Sequence, residues 1–222
     1  MHDFFASNTD VQKIYLLHGL GGTGKTQIAL KFIKESSSCF SDIFLIDSST
    51  NGTIEAGLKN IAIVKGFGGS LQDGLLWLAS QVEAWLLVFD NADDPSIDLR
   101  GFIPKCDHGN IIITSRNPGL LVHAGSDSPV SDMEEGDAVA LLLKSAAQKV
   151  TATTEQIAAE IVKALCHLPL AIVQAGAFIS KSRNLDNYLE LYMENQEQLL
   201  REKPAQSQDR YKRTVYNLAN EL

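Results

Sequence analysis

Residues 13–26 read Lys13-Ile14-Tyr15-Leu16-Leu17-His18-Gly19-Leu20-Gly21-Gly22-Thr23-Gly24-Lys25-Thr26. The first six form an unbroken, mostly apolar run, which predicts a strand covered on both faces. The next eight match GxxxxGK[ST], and residues 25–34 place Ile28, Ala29, Phe32 and Ile33 on one helical stripe. Strand, glycine-rich turn and helix, in that order, form the setting this pattern requires. The glycines let the backbone curl until several N–H groups point into one anion-sized hollow at a helix N-terminus. Lys25 brings a point charge to the β- and γ-phosphates of a nucleotide, and the Thr26 hydroxyl is a magnesium ligand. Gly19, Leu20, Gly21, Gly22, Thr23, Gly24, Lys25, Thr26 and the following Gln27 are therefore the expected nucleotide-binding residues.

A phosphate-binding loop calls for a second acid at the end of another buried strand. Trp85-Leu86-Leu87-Val88-Phe89-Asp90 supplies it, and Asp90 is expected to hold the metal directly or through water. Asn91 stands where many ATPases carry the carboxylate that polarises the attacking water, and an amide cannot accept a proton as a carboxylate does. Slow hydrolysis follows. Asp93 and Asp94 could reach in, but an exposed turn is the place expected for both. A further run, Ile111-Ile112-Ile113-Thr114, leads to Ser115-Arg116-Asn117, so Arg116 falls at the carboxyl end of a strand and faces the ligand crevice. Lys25, Asp90 and Arg116 are the candidate catalytic residues; Thr26 and Asp90 are the candidate metal ligands. Guanine recognition usually needs an NKxD-type segment near this point. Asn117-Pro118-Gly119-Leu120 stands there instead, which favours adenine.

With Asp42-Ile43-Phe44-Leu45-Ile46-Asp47, four continuous apolar runs alternate with helical patterns over 25–34, 53–64 and 74–82. That alternation predicts an α/β fold, a parallel sheet with helices on both faces. After Ser131 the pattern is helical only, with segments expected over 137–149, 154–165, 168–180 and 185–200. The expected organisation is a nucleotide-binding α/β domain over 1–132 and a small all-helical domain over 133–203. Residues 204–222 form a polar linker and the start of another helix.

The totals narrow the partners. A net charge of −8 over 222 residues argues against non-specific binding to nucleic acid or anionic membranes, and Arg210, Lys212 and Arg213 form the one tight basic cluster. No segment reaches the length of apolar sequence that a membrane span needs. Cys39, Cys106 and Cys166 lie far apart, are odd in number and follow no secretory signal, which fits a reducing cytoplasm. Cys166-His167 is too small a set for a metal and is expected to pack in a helix. Gly68-Gly69-Ser70-Leu71-Gln72 contains the residue types of a transporter-ATPase signature in the wrong order, and is expected to be a flexible loop.

His18 to Thr26, Leu86 to Asp94, Ile113 to Arg116, and Leu168-Pro169-Leu170-Ala171 occur in the order of the NB-ARC family of STAND-type switch ATPases. The resemblance covers about residues 13–180, and its last segment is most similar to fungal NOD-like receptors. It implies an additional-strand P-loop ATPase fold followed by a small helical domain, the ARC1-like unit. It also implies that Pro169 packs against the base or ribose, that Arg116 reads the γ-phosphate, and that ADP holds a closed form. Exchange for ATP would then open the molecule and drive oligomerisation, the partners being further copies of the chain or other domains of a parent protein. Three departures stand against this. The upstream segment that cups adenine has no match in Met1 to His18, the glycine before the LPLA segment is His167, and of the winged-helix domain only the first helix finds a resemblance, in Tyr211 to Leu222. The chain is then either a fragment of a larger receptor or a degenerate member. Three functions remain open at this level: a nucleotide-operated switch with slow ATP hydrolysis, a conventional P-loop ATPase or kinase, and a scaffold that binds nucleotide weakly.

Overall fold

The structure is a computed structural model and describes residues 1–6 and 11–202. The expected linker and final helix, and the basic cluster at Arg210, Lys212 and Arg213, lie outside the described residues. The chain divides into two compact units, one comprising residues 1–20 and 25–130, the other Gly21–Gly24 with residues from Ser131 onward.

The first unit contains α1 (His2–Ala6), β1 (Lys13–His18), α2 (Lys25–Ser36), β2 (Asp42–Asp47), α3 (Asn51–Val64), α4 (Leu71–Ser80), β3 (Trp85–Asp90), β4 (Asn110–Ser115) and β5 (Ser126–Pro129). All strand pairs are parallel, in the order β2-β3-β4-β1-β5. β4 thus intervenes between β1 and β3, which is the additional-strand arrangement. Each central strand is apolar on both faces because each face is covered. Leu16, Ile46, Leu87, Phe89, Ile111 and Ile113 pack with Ile54, Leu58 and Ile61 of α3 and Trp77 and Leu78 of α4. On the opposite face Tyr15, Leu17, Leu86, Val88 and Ile112 pack with Ala29 and Phe32 of α2. Fully burying such a side chain stabilises by about 1.5–3 kcal/mol before entropy is counted. That is why continuous apolar runs, rather than alternating ones, mark this sheet.

Capping residues set where the helices begin. Thr50 caps α3 and Ser70 caps α4, each in a reciprocal box with the residue three positions on, Thr53 and Asp73. Gly68 to Gln72 is therefore the ordered entry to α4 rather than a loose loop: Gly69 and Ser70 both donate backbone N–H bonds to Asp73 Oδ2.

The second unit contains α5 (Glu135–Ser145), α6 (Ala152–Ala164), α7 (Pro169–Ser182) and α8 (Tyr188–Glu202). Its core is built from Leu142 and Leu143, Ile161 and Val162, Ile172 and Ile179, and the stacked rings of Tyr188 and Tyr192. α5 and α7 approach closely at Gly176, where a Cβ would come within 2.4 Å of Ser145 Cβ. The expectation that Cys166 packs in a helix is corrected. It is exposed and left-handed (φ 53°), and with His167 (φ 56°) it forms the turn between α6 and α7. The ladder of α6 is closed off at Leu165, so the chain needs two reversed residues to start α7 at Pro169.

Candidate functional site

Gly19 leaves β1 with φ 148°, and a Cβ there would lie 2.1 Å from Val130 O. Glycine is thus required both by dihedral and by space. Beyond it the loop reaches Lys25 and Thr26, the first residues of α2. The Lys25 ammonium donates to Gly19 O at 2.8 Å and Leu20 O at 2.7 Å, so its charge is held back over the loop. Burial lowers the Lys25 pKa and the nearby Arg116 charge adds to this; Asp93 and Asp90 work against it, Asp93 more strongly.

Thr26 Oγ1–H donates to Asp90 Oδ1 at 2.8 Å, and Thr114 Oγ1–H donates to the same oxygen at 2.6 Å. Asp90 ends β3, Thr114 lies in neighbouring β4, and Thr26 comes from α2, so three elements converge on one carboxylate oxygen. A hydroxyl and a carboxylate side by side fit a divalent ion of the magnesium type. No group of three or more His, Cys, Asp or Glu suited to a metal occurs among the described residues. Such a pair is too small to cage an ion alone, but magnesium keeps waters and takes phosphate oxygens as ligands.

Two residues acquire places the sequence did not give them. Asp93 was expected in an exposed turn; its side chain is 15 % exposed and is paired with Arg116 through Nε–Oδ2. Asp94 does lie in an exposed turn, accepting from the Ser96 N–H at 2.8 Å. Thr114 had no assigned role, yet it braces Asp90 and accepts from the Asn91 N–H at 2.9 Å. An acid three places past a strand-ending acid, and a hydroxyl at the end of a neighbouring strand, are the sequence signals that would have pointed to them. Asn91 itself is left-handed (φ 64°) and exposed. Gln27 is exposed in the first turn of α2.

Within the first unit, then, Lys25, Thr26, Asp90, Asp93, Thr114 and Arg116 come together. Pro169 belongs to the second unit, at the first position of α7; the following residue, Leu170, donates its N–H to Gly22 O at 3.2 Å. His167 O accepts from Met133 N–H at 3.1 Å.

Sheet order, glycine-rich turn and the Lys–Thr–Asp cluster define a module of the P-loop NTPase class. No protein-family model matches the chain. It is 32% identical over 211 residues to a "Nucleotide-binding leucine-rich repeat (NLR)-like protein" of Hyaloscypha variabilis, an alignment covering 82% of this chain and 21% of the relative. The chain thus spans about a fifth of that relative's length. Among solved structures it is similar to a Walker-type ATPase of Pyrococcus abyssi, with a TM-score of 0.59, 17% identity and coverage of 91% of this chain and 74% of the other. It is also similar to PCH-2 of C. elegans, with a TM-score of 0.53, 17% identity and coverage of 86% and 63%. At such identities the structures speak for the fold. The resemblance of this P-loop module to the NB-ARC domains of NLR-like, STAND-type proteins stands on the relative as well as on the motifs.

Proposed function

We propose that the chain is an adenine-nucleotide switch module: it binds ATP or ADP with magnesium, hydrolyses ATP slowly, and by the exchange controls the self-association of a larger, NLR-like protein. The observation that supports this most directly is the convergence of Thr26 and Asp90 at 2.8 Å beside the Lys25 ammonium. In this reading residues 19–27 wrap the phosphates, and Lys25 gives up its two carbonyl partners for phosphate oxygens. Thr26 and Asp90 hold magnesium, Arg116 meets the γ-phosphate, and Pro169 meets the base or ribose. Bound magnesium would neutralise charge across the β- and γ-phosphates. Thr114 holds the Asp90 carboxylate in place, and Asn91 leaves the attacking water without a base. Residues 1–132 and 133–203 act as the nucleotide-binding and ARC1-like domains. Among the described residues no helix is long and apolar enough to cross a membrane, and Cys39, Cys106 and Cys166 are free thiols, which suits a cytoplasmic setting.

Acid extraction of the purified protein, followed by anion-exchange chromatography of the supernatant, tests the proposal. The expected result is co-purified ADP. An empty site that does not load from added nucleotide would leave only a scaffold, and rapid turnover would make the chain a conventional ATPase.

A further inference from the structure

Two bonds fasten Asp93 to Arg116. The Arg116 backbone N–H donates to Asp93 Oδ1 at 2.6 Å, and the guanidinium Nε–H donates to Oδ2 at 2.5 Å. The contact is built from both sides. Beyond the strand ends the chain after β3 stays stitched to β4: Asn91 N–H donates to Thr114 Oγ1, Ala92 N–H to Thr114 O, and Ser115 Oγ–H to Ala92 O. Asn117 N–H in turn donates to Ser115 Oγ. The left-handed turn at Asn91 lets the following segment run alongside β4, and this brings Asp93 opposite Arg116. The acid is shielded at 15 % side-chain exposure, while Arg116 is 46 % exposed.

We propose that Asp93 is the positioning residue of the γ-phosphate sensor: it clamps Arg116 by backbone N–H and Nε, aims the rest of the guanidinium at the third phosphate, and so sets the preference for ATP over ADP. This rests on the role given to Arg116 above. A guanidinium carries five N–H donors in a rigid planar fork, so engaging Nε fixes the direction of the Nη groups. Ordering an arginine side chain costs up to about 2 kcal/mol of rotamer entropy, and here that ordering is in place before any nucleotide arrives. Asp93 also offsets the repulsion between the Lys25 and Arg116 charges. Its carboxylate is the strongest of the charges that favour protonated Lys25, whereas Arg116 disfavours it. Asp90 is bound to Thr26 and Thr114, which leaves Asp93 as the acid aligned with the arginine.

The test is calorimetric binding of ADP and of β,γ-imido-ATP, each with magnesium, to wild type, Arg116→Ala, Asp93→Asn and the double variant, with thermal unfolding as a control for folding. Asp93→Asn keeps an oxygen for the Arg116 N–H and removes the charge that grips Nε. Each single variant should lower the ratio of triphosphate-analogue to ADP affinity about tenfold, equivalent to ~1.4 kcal/mol, and the double variant should lower it no further. Arg116→Lys, which keeps a charge but has no Nε–H fork, should lose the ratio as well and serves if Asp93→Asn fails to fold. If Arg116→Ala leaves the ratio intact, the sensor role and the inference both fail. If Arg116→Ala lowers it while Asp93→Asn does not, or if the two losses add, the inference alone is overturned. A lysine variant with the wild-type ratio would overturn it too.

Discussion

Lys25 carries its charge in a place that opposes it, and that gives the site a pH dependence. Burial is the largest influence on its ammonium and pushes the pKa below the ordinary 10.5. Phosphate stabilises the protonated form, so nucleotide binding is complete where Lys25 is charged and weakens as pH rises through the lowered value. The sign for stability is the reverse. Between the lowered value and 10.5 the unfolded chain holds a proton that the folded one has released, so the Lys25 contribution to stability rises with pH in that window. Calorimetric titrations with ADP from about pH 7 upward should show affinity falling before 10.5; a flat profile to that point would remove Lys25 from the binding site. Asp90 invites a different substitution. Both Thr26 and Thr114 donate to its Oδ1, and an asparagine amide oxygen accepts those bonds equally well. Asp90→Asn should therefore keep its melting temperature, lose most of the magnesium-dependent affinity, and keep the affinity measured in EDTA. Equal losses with and without the metal would make Asp90 a structural acid.

At the scale of elements, the turn between α6 and α7 stores strain. Cys166 and His167 are both left-handed, and the resemblance places a glycine where His167 stands. A left-handed residue with a Cβ costs about 1–2 kcal/mol. Removing the side chain frees the unfolded chain by roughly 0.4–1 kcal/mol in the opposite sense. The first effect is the larger, so His167→Gly should raise stability by about 0.5–1 kcal/mol, read as a shift of the denaturation midpoint at constant slope. A lower midpoint would show that the imidazole makes contacts worth more than the strain. The same scale shows what could be read in advance. β1 and β2 occupy the residues expected of them, and β3 and β4 differ only by a residue at their ends, because strands buried on both faces have an unmistakable pattern. β5 was not legible. Its four residues, Ser126-Asp127-Ser128-Pro129, are mostly polar, and side chains of β1 reinforce their parallel backbone pairing. Tyr15 Oη lies 2.6 Å from Ser128 Oγ, and His18 Nε2 lies 2.9 Å from Asp127 Oδ2. α4 starts three residues before the expected Gly74, since its Ser70–Asp73 capping box lies ahead of the apolar stripe that betrayed the helix. In the site, motif spacing was enough to single out Lys25, Thr26, Asp90 and Arg116. It could not give the Asp93–Arg116 pair, which exists only because β3 and β4 are neighbours.

For the whole molecule the decisive quantity is turnover, where a switch and a conventional enzyme diverge most. Phosphoryl transfer needs positioned phosphates, a metal and an oriented water. Lys25, Thr26 and Asp90 suit the first two. For the third, Asn91 stands beside Asp90, and its left-handed backbone is pinned by its N–H bond to Thr114 Oγ1. Switch GTPases without an assisting partner hydrolyse on the order of 10⁻⁴–10⁻³ per second, and this chain should be no faster. Slowness serves a switch, because the triphosphate state must outlast the assembly it controls. Asn91→Asp should raise the single-turnover rate of bound ATP, since aspartate tolerates the left-handed region nearly as well as asparagine and adds a proton acceptor. Asn91→Glu adds the same chemistry but must carry a longer side chain at φ 64°. A strain of about 1–2 kcal/mol there should make its gain the smaller of the two. Rapid-quench measurements on pre-bound ATP would rank the three proteins. A wild-type rate near one per second, typical of ordinary enzymes at the low end, would sink the switch and make the chain a working ATPase.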